Sequence, residues 1–222
     1  MKIEDKSFKH GSLFKLNVHW AGGQGGRIPA WINRVVQDPE TKIFSAQAWA
    51  PEQPYEWKET KFKPATDPLL IYECHIGMAQ DEEKVGSYVE FRDNVLPRVA
   101  HQGYNCIQIM AVQEHPYYGS FGYHVSSFFA PSSRFGTPDE LKSLIDKAHS
   151  MVIAVIMDIV HCHAVNIDNE GLVEDLVKLV QRPMQNMGET REKYCNVFVA
   201  MLQAIPNTLI YIENFEKIDE SS

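Results

Sequence analysis

The chain changes its hydrophobic rhythm near residue 69. Before that point apolar and polar residues alternate in steps of two; after it, short apolar runs alternate with helical periodicities. The most continuous run is Met151–Val165, MVIAVIMDIVHCHAV, in which seven of the eight residues from Val152 to Ile159 are apolar. A strand with one wet face does not read this way; a fully buried strand of a parallel sheet does. LLIYECHIG (69–77) and YNCIQIMAV (104–112) read as two further strands. Between them, SYVEFRDNVLPRVAHQG (87–103) sets Tyr88, Phe91, Val95 and Val99 near one helical face. Pro97 predicts a kink or restart in that helix, and Gly103 its stop. TPDELKSLIDKAHS (137–150) carries a full set of helix-start signals. Thr137 is the N-cap, Pro138 the first helical residue, Glu140 the closing member of a capping box, and Leu141, Leu144, Ile145 and Ala148 the buried stripe. The order βαβ, long loop, αβ predicts a parallel sheet with right-handed crossovers.

In the front part, SLFKLNVHW (12–20) alternates as a strand with Phe14, Leu16, Val18 and Trp20 inward. AGGQGG lacks the Lys-Ser/Thr of a phosphate loop and reads as a flexible turn. RIPAWINRVV is extended around Pro29, a turn falls at Gln37–Glu40, and KIFSAQAWA is a further alternating strand ending at Pro51. Pro51, Pro54, Pro64 and Pro68 punctuate a linker. These readings divide the chain into an antiparallel β module (1–64), an α/β region (65–171) and a divergent tail (172–222). The tail holds two amphipathic helices, LVEDLVKLVQ and 189–204, and a strand in NTLIYIENF.

Composition narrows the function classes. Hydrophobic content of 44% and charged content of 23% are ordinary globular values. A net charge of −8 argues against sequence-independent nucleic-acid binding, which needs a basic face. The four cysteines show no CxxC pair, so neither a zinc ribbon nor a disulfide framework is signalled; reduced thiols suit a cytoplasmic protein. The charged start MKIEDKSFKHG lacks the apolar core of a signal peptide, and no run approaches the roughly 20 residues of a membrane helix. Expected partners therefore include neither nucleic acid nor membrane, and the oligomeric state is open.

Chemistry-bearing residues collect at the strand ends, where parallel α/β folds place their sites. Glu73 and His75 follow the first strand, Glu114 and His115 the second, and Asp158, His161, Cys162 and His163 the third. Such groups suit acid–base work, metal ligation or hydrogen bonds to a polyhydroxy ligand. They also suit a core strand followed by a loop that happens to carry histidines. His161 and His163 share a face if extended, but no complete zinc spacing surrounds them, so neither metal nor cofactor is expected. The loop QEHPYYGSFGYHVSSFFAPSSRFG is long and holds seven aromatics. Tyr117, Tyr118, Phe121 and Tyr123 suit either a sugar-stacking platform or packing of the loop onto the sheet.

Several of these segments carry a resemblance. IYECHIG, FRDNVLPR, GYNCIQIMAV, EHPYYGSFGYHVSSFFAPSSRFGTPDELKSLIDKAHS and MDIVHCHA closely resemble, in order, the glycogen branching enzymes of the α-amylase superfamily. RIPAWI and its neighbouring strands are similar to the end of the carbohydrate-binding β-sandwich that precedes the barrel there. The resemblance covers about residues 11–172. It implies a partial (β/α)₈ (TIM) barrel, its first three β/α units preceded by the end of that sandwich. It further implies an enzyme class that cuts an α-1,4-glucan and rejoins it as an α-1,6 branch in glycogen biosynthesis. By that resemblance Asp158, His163 and Tyr123 contact the sugar, with Tyr118 and His161 as further candidates, and the partner is an α-1,4-glucan. Cys162 stands where branching enzymes usually carry Ser.

The family's nucleophile lies in an FRFDG-like strand that this sequence does not contain, and Glu213 in LIYIENF is only superficially similar to the acid/base strand. A retaining transfer needs two carboxylates about 5 Å apart, and a complete barrel takes about 250 residues. The expectation is therefore a truncated enzyme by descent that is inactive alone. The rival readings are a non-catalytic α-glucan-binding fragment and a non-functional remnant.

Overall fold

The structure is a computed structural model, and it describes residues 8–20, 23–64, 68–160 and the backbone strand at 209–212. The first strands are β1 (Leu13–Phe14), β2 (Leu16–Trp20), β3 (Gly23–Arg27), β4 (Val35–Gln37) and β5 (Phe44–Gln47). β1, β5 and β4 form one antiparallel sheet in that order, and β2 and β3 form a separate antiparallel pair. Three readings of the front part are corrected here, the first two for one reason. The glycine-rich segment is not a loop: Gly23–Arg27 pairs along its whole length with Leu16–Trp20. Leu16 and Val18 are not inward either, being 36% and 39% exposed. The reason is the same for both. A two-stranded ribbon with glycines on one side offers no second layer to cover the apolar face of the other. Around Pro29 the chain turns rather than extends, with Ile32 N–H donating to the Pro29 carbonyl at 3.2 Å.

β4 and β5 do meet a second layer. Ile28, Val35, Phe44 and Ala46 form one buried cluster with Ala130, and the Trp31 and Phe129 rings lie 4.5 Å apart. The Asp38 carboxylate closes their turn by accepting from the amides of Glu40 and Thr41 at 3.0 and 2.7 Å.

The main sheet is parallel. Its strands are β6 (Ile71–Cys74), β7 (Cys106–Ile109), β10 (Ala154–Ile159) and β11 (Leu209–Ile212), in the order β11-β10-β7-β6. All six residues of β10 are buried, as its unbroken apolar run requires. Within the long loop, two strands escaped the sequence reading: β8 (Gln113–Glu114) and β9 (Ser127–Pro131) pair antiparallel.

Helix α1 comprises an α turn at Tyr88–Glu90, a π turn at Phe91–Val95 and an α segment at Leu96–His101. Pro97 has no N–H to give, and the wide turn accommodates that defect: Leu96 N–H donates to the Phe91 carbonyl, five residues back. The extra residue rotates the face, so Leu96 rather than Val95 is fully buried beside Tyr88, Phe91 and Val99. Gly103, at φ 87°, ends the segment in the left-handed region. Helix α2 (Pro138–Ser150) starts as its sequence predicts, with both halves of the Thr137–Glu140 capping box formed. Leu141, Leu144, Ile145 and Ala148 join Ile107, Ile109, Val155 and Met157 in the largest core cluster. On the alternate parity, Cys106, Ala154 and Ile156 form a separate cluster. Asp158 shares that parity, so it lies on the sheet face away from the helices.

The proline-punctuated stretch is a strap across α2. The Asp146 carboxylate accepts from the Tyr55 hydroxyl at 2.7 Å and from the amides of Lys58 and Glu59 at 2.9 Å each. Burial works to raise its pKa, and these donors outweigh that, leaving it below the usual carboxylate value. Trp49 Nε1 donates to Asp139 at 3.2 Å, and Phe62 stacks on His149 with centroids 4.0 Å apart.

Candidate functional site

Two chain segments converge where the parallel strands end. The β10 strand delivers Asp158, which is 2% exposed. The long loop returns Tyr123, whose hydroxyl donates to Asp158 Oδ2 at 2.7 Å across 35 residues of sequence. Among the described residues, Asp158 Oδ1 is buried without a hydrogen-bond partner. An unpaired buried carboxylate oxygen is uncommon, and it can accept a hydroxyl from a ligand.

Backbone geometry aims Tyr123. Phe121 lies in the left-handed region at φ 53° and Gly122 at φ 91°. A Cβ on Gly122 would fall 1.9 Å from the Ala111 carbonyl oxygen, so no side chain fits there. The glycine lets the loop press against the end of β7, which brings the next ring to Asp158.

Behind this pair sits a buried polar layer from the other strand ends. Glu114 is fully buried; it accepts from the Ser133 amide at 2.8 Å, the His115 amide at 3.1 Å and the Ser132 hydroxyl at 3.2 Å. Burial raises its pKa against those bonds and the Arg134 guanidinium 3.8 Å away. Arg134 also donates to the carbonyls of His115 and Pro116, the latter at 2.6 Å. His115 contacts the Gln113 carbonyl through Nδ1 at 2.9 Å, and burial pushes its pKa down to about 4. His75 stands edge-on to the rings of Tyr118, Phe121 and Phe135, with both nitrogens unpartnered among the described residues, and burial lowers its pKa too. Both imidazoles are thus held neutral.

Of the residues picked from sequence, Asp158 and Tyr123 are brought together. Tyr118 lies in a 3₁₀ turn (Tyr118–Ser120) and sits against Gly77 and His75. His161 and His163 lie outside the described residues, as does Cys162. Glu73 is exposed, away from the buried layer. Gln113 and Arg134 were not picked, and nothing in their sequence setting marks them: each gains its role only when β8 and β9 pair. Among the described residues no group of three or more His, Cys, Asp or Glu is arranged to hold a metal, and no helix is long and apolar enough to cross a membrane. A depression of about 210 Å³ between β6 and α1, lined by Tyr72, Asp81 and Arg98 among others, includes none of these strand-end groups.

Comparison with known proteins fits this geometry. The profile of the alpha amylase catalytic domain matches residues 96–171. A 1,4-alpha-glucan-branching enzyme of Dictyostelium discoideum is 51% identical over 156 residues, which is 70% of this chain and 23% of that protein. The Arabidopsis thaliana 1,4-alpha-glucan-branching enzyme 2-2, chloroplastic/amyloplastic, is 50% identical over 165 residues, 73% of this chain and 20% of its own length. The Equus caballus 1,4-alpha-glucan-branching enzyme is 48% identical over 164 residues, 73% of this chain and 23% of that protein. The crystal structure of a candidate alpha amylase from Salmonella typhimurium superposes with a TM-score of 0.61 at 22% identity, covering 80% of this chain and 31% of that one. At that identity the likeness speaks to fold alone, an α/β fold of TIM-barrel type. The chain spans 20–23% of the length of these three branching enzymes. Over its matched part, this chain is similar to 1,4-alpha-glucan-branching enzymes, and residues 96–171 match the alpha amylase catalytic domain.

Proposed function

We propose that this chain is the front part of a glucan branching enzyme and that it grips an α-1,4-glucan without branching it alone. In this reading residues 65–171 supply the first three β/α units of the barrel, residues 1–64 the end of a carbohydrate-binding β module, and 172–222 a divergent tail. The observation that carries it is the Tyr123–Asp158 hydrogen bond at the strand ends. Tyr123 fixes one carboxylate oxygen and leaves Oδ1 to accept a sugar hydroxyl, while its ring offers a surface for a pyranose. His163, five residues beyond Asp158, is the third sugar-contacting group. Branching itself would need a carboxylate to attack the anomeric carbon, and the 222 residues contain no FRFDG-like strand to supply one.

Affinity electrophoresis in amylopectin tests the grip: the chain should be retarded, and Tyr123→Ala should migrate as in a glucan-free gel. An unretarded wild-type chain would remove the glucan reading. The amylose–iodine absorbance should not change on incubation with the chain; a clear shift would overturn the statement that it cannot branch alone. One observation favours the remnant reading: among the described residues β6 is the last strand of its sheet, and Leu69, Leu70 and Ile71, at and just before its start, are 38%, 57% and 43% exposed. An open apolar edge invites association, and a single monomeric species in sedimentation would set that reading aside.

A further inference from the structure

We infer that Gln113 is a positioning residue for the Tyr123–Asp158 pair, its side-chain amide acting as one rung of sheet between the end of β10 and β9. The inference rests on the reading of that pair as the sugar grip, and it names what holds the pair in register.

At Asp158 the sheet is one-sided: Asp158 and Ile159 remain paired with Tyr211 and Ile212 of β11, and only the β7 side has ended. The pairing of β10 with β7 ends at Met157↔Ile109. Past that point β7 keeps its β6 side, Met110 N–H donating to the Cys74 carbonyl at 2.9 Å, but has no further register with β10. Asp158 and the residues after it thus lie beyond the β7–β10 ladder. There Gln113 takes over. Val160 N–H donates to Gln113 Oε1 at 3.0 Å, and Gln113 Nε2 donates to the Phe128 carbonyl at 3.0 Å. A carboxamide has the same acceptor and donor as a peptide group, so the side chain stands in for a missing strand residue. It is 5% exposed and has bonds at both ends, as a buried amide must.

Both bonds end beside the pair. Val160 is two residues past Asp158. Phe128 packs with Tyr123 against the cluster of Ala111, Val125 and Val160. Gln113 therefore fixes the spacing between the segment that carries the carboxylate and the cluster that seats the phenol. Its own backbone is anchored, since its carbonyl meets His115 Nδ1 at 2.9 Å. An apolar residue of the same length would leave a buried amide and a buried carbonyl unmatched just where the pair must hold its distance.

Two variants of the full 222-residue chain test this, read by amylopectin affinity electrophoresis and by the ¹³Cζ resonance of Tyr123 in ring-labelled protein, assigned with Tyr123→Phe. Gln113→Met keeps the length and removes both bonds. It should bind amylopectin about tenfold more weakly, the equivalent of one to two net hydrogen bonds, and the Tyr123 resonance should move away from its carboxylate-bonded position. Gln113→Glu regains a donor when protonated and loses it when ionised. Its affinity relative to wild type should therefore rise as pH is lowered through the titration of the new carboxyl. Glu114, His115, Arg134 and Asp158, which surround the position, are common to both proteins and cancel in that ratio. Wild-type affinity and an unmoved Tyr123 resonance in Gln113→Met would overturn the proposal, as would a flat ratio in Gln113→Glu. Should Gln113→Met not fold, Gln113→Glu at low pH decides; failure of both to fold would also overturn it, assigning Gln113 to the sheet as a whole. If wild type itself is not retarded, the glucan reading fails, and the tyrosine resonance alone decides the positioning role.

Discussion

In the parallel sheet every residue of β10 is buried, while in the β2–β3 ribbon Leu16 and Val18 stand more than a third exposed. Both strands are rich in apolar residues, so composition does not separate them. The difference lies in what covers them. β10 has strands on both sides and helix α2 against one face, and its side chains fill a shared core. In the ribbon β2 pairs with one strand, made largely of glycine, and among the described residues its Leu16 and Val18 are left uncovered. An alternating pattern states which face could be buried; only a second layer decides whether it is.

Removing core volume should give the largest contrast. Leu144→Ala empties a fully buried site between α2 and the sheet and should cost about 2–5 kcal/mol in denaturant unfolding. Acid sharpens the same contrast, because His75, His115 and His149 are all buried within the packed region. His115 is held at about 4, against 6.5 in a free imidazole. The unfolded chain therefore takes up this proton first. The stabilisation is complete above about pH 6.5 and fades as pH falls towards 4, by up to about 3 kcal/mol. Glu114, raised by burial, works in the opposite sense, its contribution being lost as pH rises. The check is thus differential: His115→Asn should lose less stability than wild type between pH 7 and pH 4.5. The smallest effect belongs to the ribbon, where Leu16→Ala should change unfolding free energy by no more than about 0.5 kcal/mol. A cost near that of Leu144→Ala would mean the ribbon is covered after all.

What could be read in advance follows the same division. Helix α2 was legible because its start is written in local chemistry, from Thr137 through Glu140, and β10 because its run is too apolar to face water. The π turn in α1 was only half legible: Pro97 announces a defect, but not that the repair is an extra residue that turns Leu96 inward. The segment Gly23–Arg27 misled because glycine signals freedom, and freedom includes the extended form when a partner strand is present. At the site, Asp158 was marked by its place at a strand end and Tyr123 by resemblance to known motifs. Gln113 had no mark at all, since one amide between Val112 and Glu114 looks the same whether it bridges two strands or faces solvent.

The strap over α2 bears on how the molecule comes apart. Asp146 gathers a hydroxyl and two main-chain amides from a stretch that forms no ladder of its own. The β4–β5 sheet is fixed near the same helix start, through Ala130 and the Arg34 bond to the Gly136 carbonyl. A protease that nicks the backbone between Trp49 and Phe62 would therefore sever the polypeptide and still elute with both fragments in one peak. The punctuation of that stretch by prolines looks like a hinge in the sequence, and mechanically it is a rivet.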